Sequence, residues 1–256
     1  MGTSKRLTAF LICIVLLAAS LISCINQDQG GNTELQTDKY IASVRIKYAT
    51  NDAKMKAAVD ALNATASTLK VDGDDVSILT SASVNGISST NEYTYVGGVL
   101  YQAKSLAVSD KTITVKERAA MTADQRSSLI SKAGPGAGIG IGDFLDIEMN
   151  TYNNSDEYVC SNMLDESKES LRKIIAKSFE GVGTVAIEDA SYRLEMKGER
   201  NISSVLSCDL VINMDGVDYK VTMHLYYEYD YDAEFSILSP ENADSYTEVS
   251  VDGIIG

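Results

Sequence analysis

Histidine, cysteine, serine, lysine and aspartate carry reactive side chains, and each place where two of them approach in sequence tests for a chemistry. The chain has one histidine, His224. It falls between apolar Met223 and Leu225, so on an alternating strand it takes the polar side, where a solvated imidazole is expected in place of a general base. Neither H-E-x-x-H nor G-x-S-x-G occurs. Ser67 with Lys70, and Ser170 with Lys173, have the S-x-x-K spacing of some acyl-transfer nucleophiles, but the companion motifs of those enzymes are missing. Asp72, Asp74 and Asp75, and separately Asp230 and Asp232, offer oxygen ligands for calcium without the glycine and closing glutamate of an EF-hand loop. The run from Gly134 to Gly142 alternates glycine with other residues. It matches neither G-x-G-x-x-G nor a phosphate loop ending in G-K-[ST], and it leads into a strand pattern where a phosphate site needs a helix N-terminus. The expectation is therefore a protein that is not an enzyme, with no metal and no cofactor.

One cysteine has a stronger context. Lys5 and Arg6 precede an apolar run from Leu7 to Ala19, which is short for a membrane span, and Leu21-Ile22-Ser23-Cys24 follows. That order of charge, apolar core, small residue and cysteine resembles a prokaryotic lipobox, in which the cysteine is acylated on sulfur. The expected division is a leader over residues 1–23, lipidated Cys24 with a polar tether over 24–36, and one domain over 37–256. At about 3.3–3.6 Å per residue the tether reaches up to roughly 40 Å. The expected location is the extracytoplasmic face of a cell membrane, reached through the lipid on Cys24. Cys160 and Cys208 are left in the domain, and export permits either a disulfide or two buried thiols.

Composition narrows the partners. Of 256 residues, 45 % are hydrophobic, enough for a large single core, and the formal net charge is −14. An acidic surface repels phosphate backbones and anionic headgroups, so neither nucleic acid nor polybasic docking on lipid is expected.

The elements that carry these residues can be read from periodicity. Val217, Tyr219, Val221, Met223, Leu225, Tyr227 and Tyr229 alternate with mostly polar neighbours, as do Leu206, Cys208, Leu210, Ile212 and Met214 before them. Asp215-Gly216 between the two runs suits a two-residue hairpin turn. Tyr192, Leu194 and Met196 form a third strand, joined through Lys197-Gly198-Glu199. This meander has one apolar side that something must cover. Upstream, Tyr40 to Tyr48 reads as a strand. Met55, Val59, Leu62, Ala66 and Leu69 at spacings of three and four predict a helix over 51–70. Hairpins follow around Asn85-Gly86 and Gly97-Gly98, then a strand with Ile113 and Val115, and a helix over 121–133 capped by Thr122. Leu145, Ile147 and Met149 begin a hairpin that returns through 157–163. Asp165 starts a helix with a stripe of Leu171, Ile174, Ile175 and Phe179. Short closing strands are expected at 235–237 and 246–251. The predicted class is α+β, a curved antiparallel sheet with helices on its concave face.

A lipobox, an early helix, one-faced antiparallel meanders and the ending Tyr231-Asp232-Ala233-Glu234-Phe235-Ser236-Ile237-Leu238-Ser239-Pro240 together resemble the LolA-like superfamily, in its LppX/LprG-type and related lipoprotein branches. The resemblance covers most of 37–256 and is one of architecture and spacing. It implies an incomplete β-barrel, and it brings no catalytic residues. The expected ligand face is the apolar side of the meander: Leu194, Met196, Leu206, Leu210, Ile212, Val221, Met223 and Leu225. Two readings stand. In one, a lipid or other apolar ligand lies between sheet and helices. In the other, the helices fill that face and the acidic exterior meets another protein of the cell envelope.

Overall fold

Alternating apolar side chains punctuated by left-handed turn residues build this chain into a single sheet. The computed structural model describes residues 39–63, 65–84, 86–126, 129, 139–177, 179 and 183–255. The strands are β1 (Tyr40–Ala49), β2 (Thr65–Asp72), β3 (Asp75–Val84), β4 (Ile87–Val96), β5 (Val99–Val108), β6 (Lys111–Ala120), β7 (Phe144–Tyr152), β8 (Ser155–Met163), β9 (Thr184–Lys197), β10 (Arg200–Met214), β11 (Val217–Asp230) and β12 (Thr247–Glu248). Helix α1 (Ala53–Leu62) follows β1, α2 (Asp165–Lys177) follows β8 and α3 (Val251–Ile255) ends the described chain. The 12 strands form one curved, unclosed sheet in the order β12-β6-β5-β4-β3-β2-β1-β11-β10-β9-β8-β7. All neighbours are antiparallel except β12, which runs parallel to β6.

The central meander forms as its alternation requires. Asp215 and Gly216 have φ of 52° and 79°, and Met214 pairs directly with Val217. Leu206 then faces Leu225, Cys208 faces Met223 and Leu210 faces Val221, so both apolar rows share a face. On β9 the register with β10 shifts after Asp209, where a bulge lets Ile187 and Ala190 both turn inward although an even number of residues would otherwise alternate them. β1 completes the row on the other side, with Val44 opposite Tyr227 and Ile46 opposite Leu225. The face carrying these residues is the inner face of the sheet.

Helices cover part of it. Met55 and Val59 of α1, and Leu171 and Ile175 of α2 with Phe179 beyond its end, join Ile139, Val44, Tyr48 and the apolar rows of β9, β10 and β11 in one cluster. A second cluster occupies the inner face of β2–β6: Leu69, Val71, Val76, Ile78, Tyr93, Tyr95, Leu100 and Ala119, with Met121, Leu129 and Ile254 over them.

Helix α1 stops at Leu62, and Ala66 and Leu69 lie in strand β2 instead of the predicted helix. The reason is local. Asn63 turns its amide onto the backbone of Tyr48, donating from Nδ2 to the carbonyl at 2.8 Å and accepting the Tyr48 N–H on Oδ1. Thr65, Thr68 and Val71 then favour an extended chain, and buried Thr65, Ser67, Leu69 and Val71 alternate with more exposed neighbours. The helical turn at 123–126 begins as expected, since Gln125 N donates to Thr122 Oγ1 at 3.3 Å while Thr122 N donates to Gln125 Oε1 at 3.0 Å. Of its predicted continuation Leu129 alone is described, and residues 134–138 of the glycine run lie outside the described residues. So do the leader, Cys24 and the tether.

The end of the chain departs most from expectation. Residues 231–242 form no strand, and of the two closing strands only Thr247–Glu248 exists. The segment instead crosses the outer face as a strap. Lys39 donates to the Phe235 carbonyl and to Asp72 Oδ2, and its Nζ sits 4.6 Å from the Phe235 ring centre. Lys70, on the outer side of β2, lies 5.9 Å from the same ring. Tyr246 meets Tyr101 edge-on at 5.4 Å on the outer side of β5. The chain then passes the β6 edge as β12 and brings Ile254 into the second cluster on the inner side. A segment that runs across strands cannot ladder with them, which is why its apolar residues did not become strands.

Candidate functional site

Chemistry-bearing side chains are kept apart by this architecture. On β2, residues three apart point to opposite faces, so Ser67 is buried inward against Thr80 while Lys70 points outward to Phe235. Ser170 and Lys173 are on the exposed side of α2. His224 takes the polar side of β11, as its parity predicts, and its Nδ1 is 2.8 Å from Ser207 Oγ on the outer face. The nearest acid on the same strand pair, Asp209, accepts from Thr222 Oγ1 at 2.9 Å. Asp72 is held by Lys39. Among the described residues no group of three or more histidine, cysteine or acidic side chains is placed to hold a metal ion. Cys160 and Cys208 are both free and buried, Cys160 beside Tyr192 and Cys208 beside Ala190, with β9 between them.

What remains is the inner face. Seven of the expected ligand-face residues, Leu194, Leu206, Leu210, Ile212, Val221, Met223 and Leu225, are buried, and Met196 is half-buried against the same cluster. Each buried side chain of this kind is worth about 1.5–3 kcal/mol over leaving it in water. They share one cluster with Met55 and Val59 of α1, Leu171 and Ile175 of α2, and Phe179. The register brings all eight together on one face.

Away from those helices the inner face changes character. Cross-strand pairing carries one row from Tyr227 through Val44, Ser67, Thr80, Asn91 and Lys104 to Val115. Its middle is polar and buried. Ser67 Oγ is 3.2 Å from Thr80 Oγ1, and Gln102 Nε2 donates to Asn91 Oδ1 at 3.0 Å. Thr65, Ser89, Asn91 and Gln102 are all buried, and Gln102 Oε1 has no hydrogen-bond partner among the described residues. This polar band lies between the two apolar clusters. Nothing in the sequence periodicity marks it, because serine, threonine and asparagine on a strand read as an exposed face.

Beyond the band the row becomes apolar again and emerges into water. Ile113 is 68 % exposed, Val115 49 % and Val108 45 %, while Leu106 and Ile87 beside them are half-buried. Lys104, opposite both Asn91 and Val115, is exposed at the junction of band and apolar rim. The inner face thus offers, in order, a helix-covered apolar core, a buried hydrogen-bonding band, one cation and an open apolar wall.

Burial sets the ionisation of the few titratable groups on this face. The Cys208 thiol is pushed up from 9.0 to about 12 by burial first, then by Asp209 and Asp189. Tyr48 and Tyr229 are raised in the same direction by burial, and the Tyr229 hydroxyl has no hydrogen-bond partner among the described residues. Such groups stay protonated at neutral pH and contribute no nucleophile.

No protein-family model and no curated protein matches this chain. Among solved structures, one from work on substrate modification by dehydratases of type I polyketide synthases is 10 % identical, covers 86 % of this chain and 83 % of that one, and has a TM-score of 0.18. Another, the dehydratase domain of PpsC from Mycobacterium tuberculosis in complex with C12:1-CoA, is 12 % identical over 84 % of each chain, also at 0.18. Likeness at that level carries no argument about fold or activity.

Proposed function

We propose that this chain is a membrane-anchored extracytoplasmic lipoprotein of LolA-like type that holds a lipid or other apolar ligand on the inner face of its sheet. The observation that supports the reading is the apolar wall of exposed Val108, Ile113 and Val115 with half-buried Ile87 and Leu106 beside them, continuous in register with the buried rows. Apolar side chains on a curved inner face cost free energy in water, and an aliphatic chain laid against them removes that cost. The ligand site is accordingly placed on β4–β6, next to the polar band, and the meander residues under α1 and α2 act as its packed support. Lipid carried by the purified protein tests the claim, and its loss on placing a charge at Val115 localises the site.

Anchoring is proposed through Cys24, on the order of the leader residues before it. Replacing Cys24 by Ser is expected to move the protein out of the membrane fraction or leave a longer precursor. Unchanged fractionation and mass contradict the anchor while leaving the ligand site standing.

A further inference from the structure

The two edges of the sheet are treated differently. The β6 edge is met by the chain's own β12, whereas β7 pairs with β8 alone among the described residues. From Leu145 to Tyr152 the β7 edge is about 26 Å long at ~3.3 Å per residue, and about half of its residues point N–H and C=O away from β8. Natural sheets blunt such edges with charged side chains, lysine above all, with proline or with a bulge. Here the edge reads Leu145-Asp146-Ile147-Glu148-Met149, with no cation and no proline. Ile147 is 48 % exposed and Met149 59 %, beside Cys160 and Tyr158 of the inner face. Asp146 and Glu148 alternate with them and are exposed on the other side.

We infer that β7 is a docking edge for an extended segment of a partner protein in which apolar and basic residues alternate. The partner adds a strand beside β7, its backbone completing the unpaired ladder, its apolar side chains meeting Ile147 and Met149, and its lysines or arginines meeting Asp146 and Glu148. A second copy of this chain fits poorly. Antiparallel pairing of β7 with itself sets Asp146 and Glu148 of one copy against those of the other, in molecules that each carry a net charge of −14. The alternation of acid and apolar residues along one open edge therefore selects a basic strand. The inference stands apart from the ligand site, which lies at the opposite end of the sheet on β4–β6.

The test uses the full chain and labelled eight-residue peptides of alternating lysine and valine, or glutamate and valine, followed by fluorescence anisotropy at low and high salt. The lysine peptide is expected to bind in a salt-sensitive manner and the glutamate peptide not to bind. N-methylation at alternate backbone nitrogens should weaken the lysine peptide at least about tenfold, since ladder hydrogen bonds are lost. The double variant Asp146→Lys, Glu148→Lys should also weaken it about tenfold and favour the glutamate peptide, with an unchanged circular dichroism spectrum. Equal binding of both peptides, no binding of either, or indifference to N-methylation overturns the proposal. So does a dimer in sedimentation that Ile147→Lys dissolves, because the occupant is then a second copy.

Discussion

Cys208 lies on the inner face between Ala190 of β9 and Met223 of β11, and its thiol is pushed up to about 12 from 9.0 by burial. The folded state therefore keeps this proton at a pH where the unfolded chain has released it. Stability from the neutral thiol is complete below about pH 9 and is lost as pH rises toward 12. Tyr40, raised from 10.0 to about 12 mainly by burial and then by Tyr231, acts in the same sense. The urea midpoint should stay level up to about pH 9 and fall above it, and Cys208→Ala should make that fall shallower. A midpoint that holds level to pH 11 contradicts this account. Residues of this kind were legible in sequence only as positions on an apolar parity. That Cys208 and Cys160 stand on either side of β9 depends on strand order, which alternation does not encode.

Elements differ in how openly they declare themselves. β10 and β11 do so because a sheet covered on one face demands a period of two, and Asp215-Gly216 supplies the left-handed turn that keeps both rows on one face. Strand β2 did not, since Met55, Val59, Leu62, Ala66 and Leu69 also fit a helical period. Only the Asn63 amide on the Tyr48 backbone shows where helix yields to strand. The strap was hidden for a different reason: Phe235 and Tyr246 are anchored by lysines and a tyrosine on strands far away in sequence. Close backbone approach gives a test at this scale. Just before β9, a Cβ on Gly183 would lie 2.3 Å from the Asn213 carbonyl oxygen and 2.9 Å from Met214 Cγ. Gly183→Ala should destabilise the fold by about 1–3 kcal/mol as an overpacking change. Gly140→Ala, with nothing within 4 Å, is the neutral control. Equal urea midpoints for the two variants contradict the register of β9 on β10.

At the scale of the whole molecule, one continuous sheet carries two apolar clusters, a hydrogen-bonding band between them and an open wall at β4–β6. The chain winds from β11 over the outer face and around the β6 edge, so its last residues help close the cluster that its first strands began. Sequence reasoning located the apolar face and expected the ligand on the rows of β9, β10 and β11. Those rows share a buried cluster with residues of α1 and α2, and exposed apolar surface lies at β5 and β6, where exposure was not readable from Val108, Ile113 and Val115 themselves. The most direct measurement is mass spectrometry of what organic solvent extracts from the full chain purified out of membranes, beside the same chain carrying Ile113→Glu and Val115→Glu. About one equivalent of a non-covalently held lipid from the parent, falling several-fold in the variant at unchanged stability, is the predicted result, because the two new carboxylates must then lose water against an aliphatic chain. Lipid absent from the parent, or present equally in both, contradicts it.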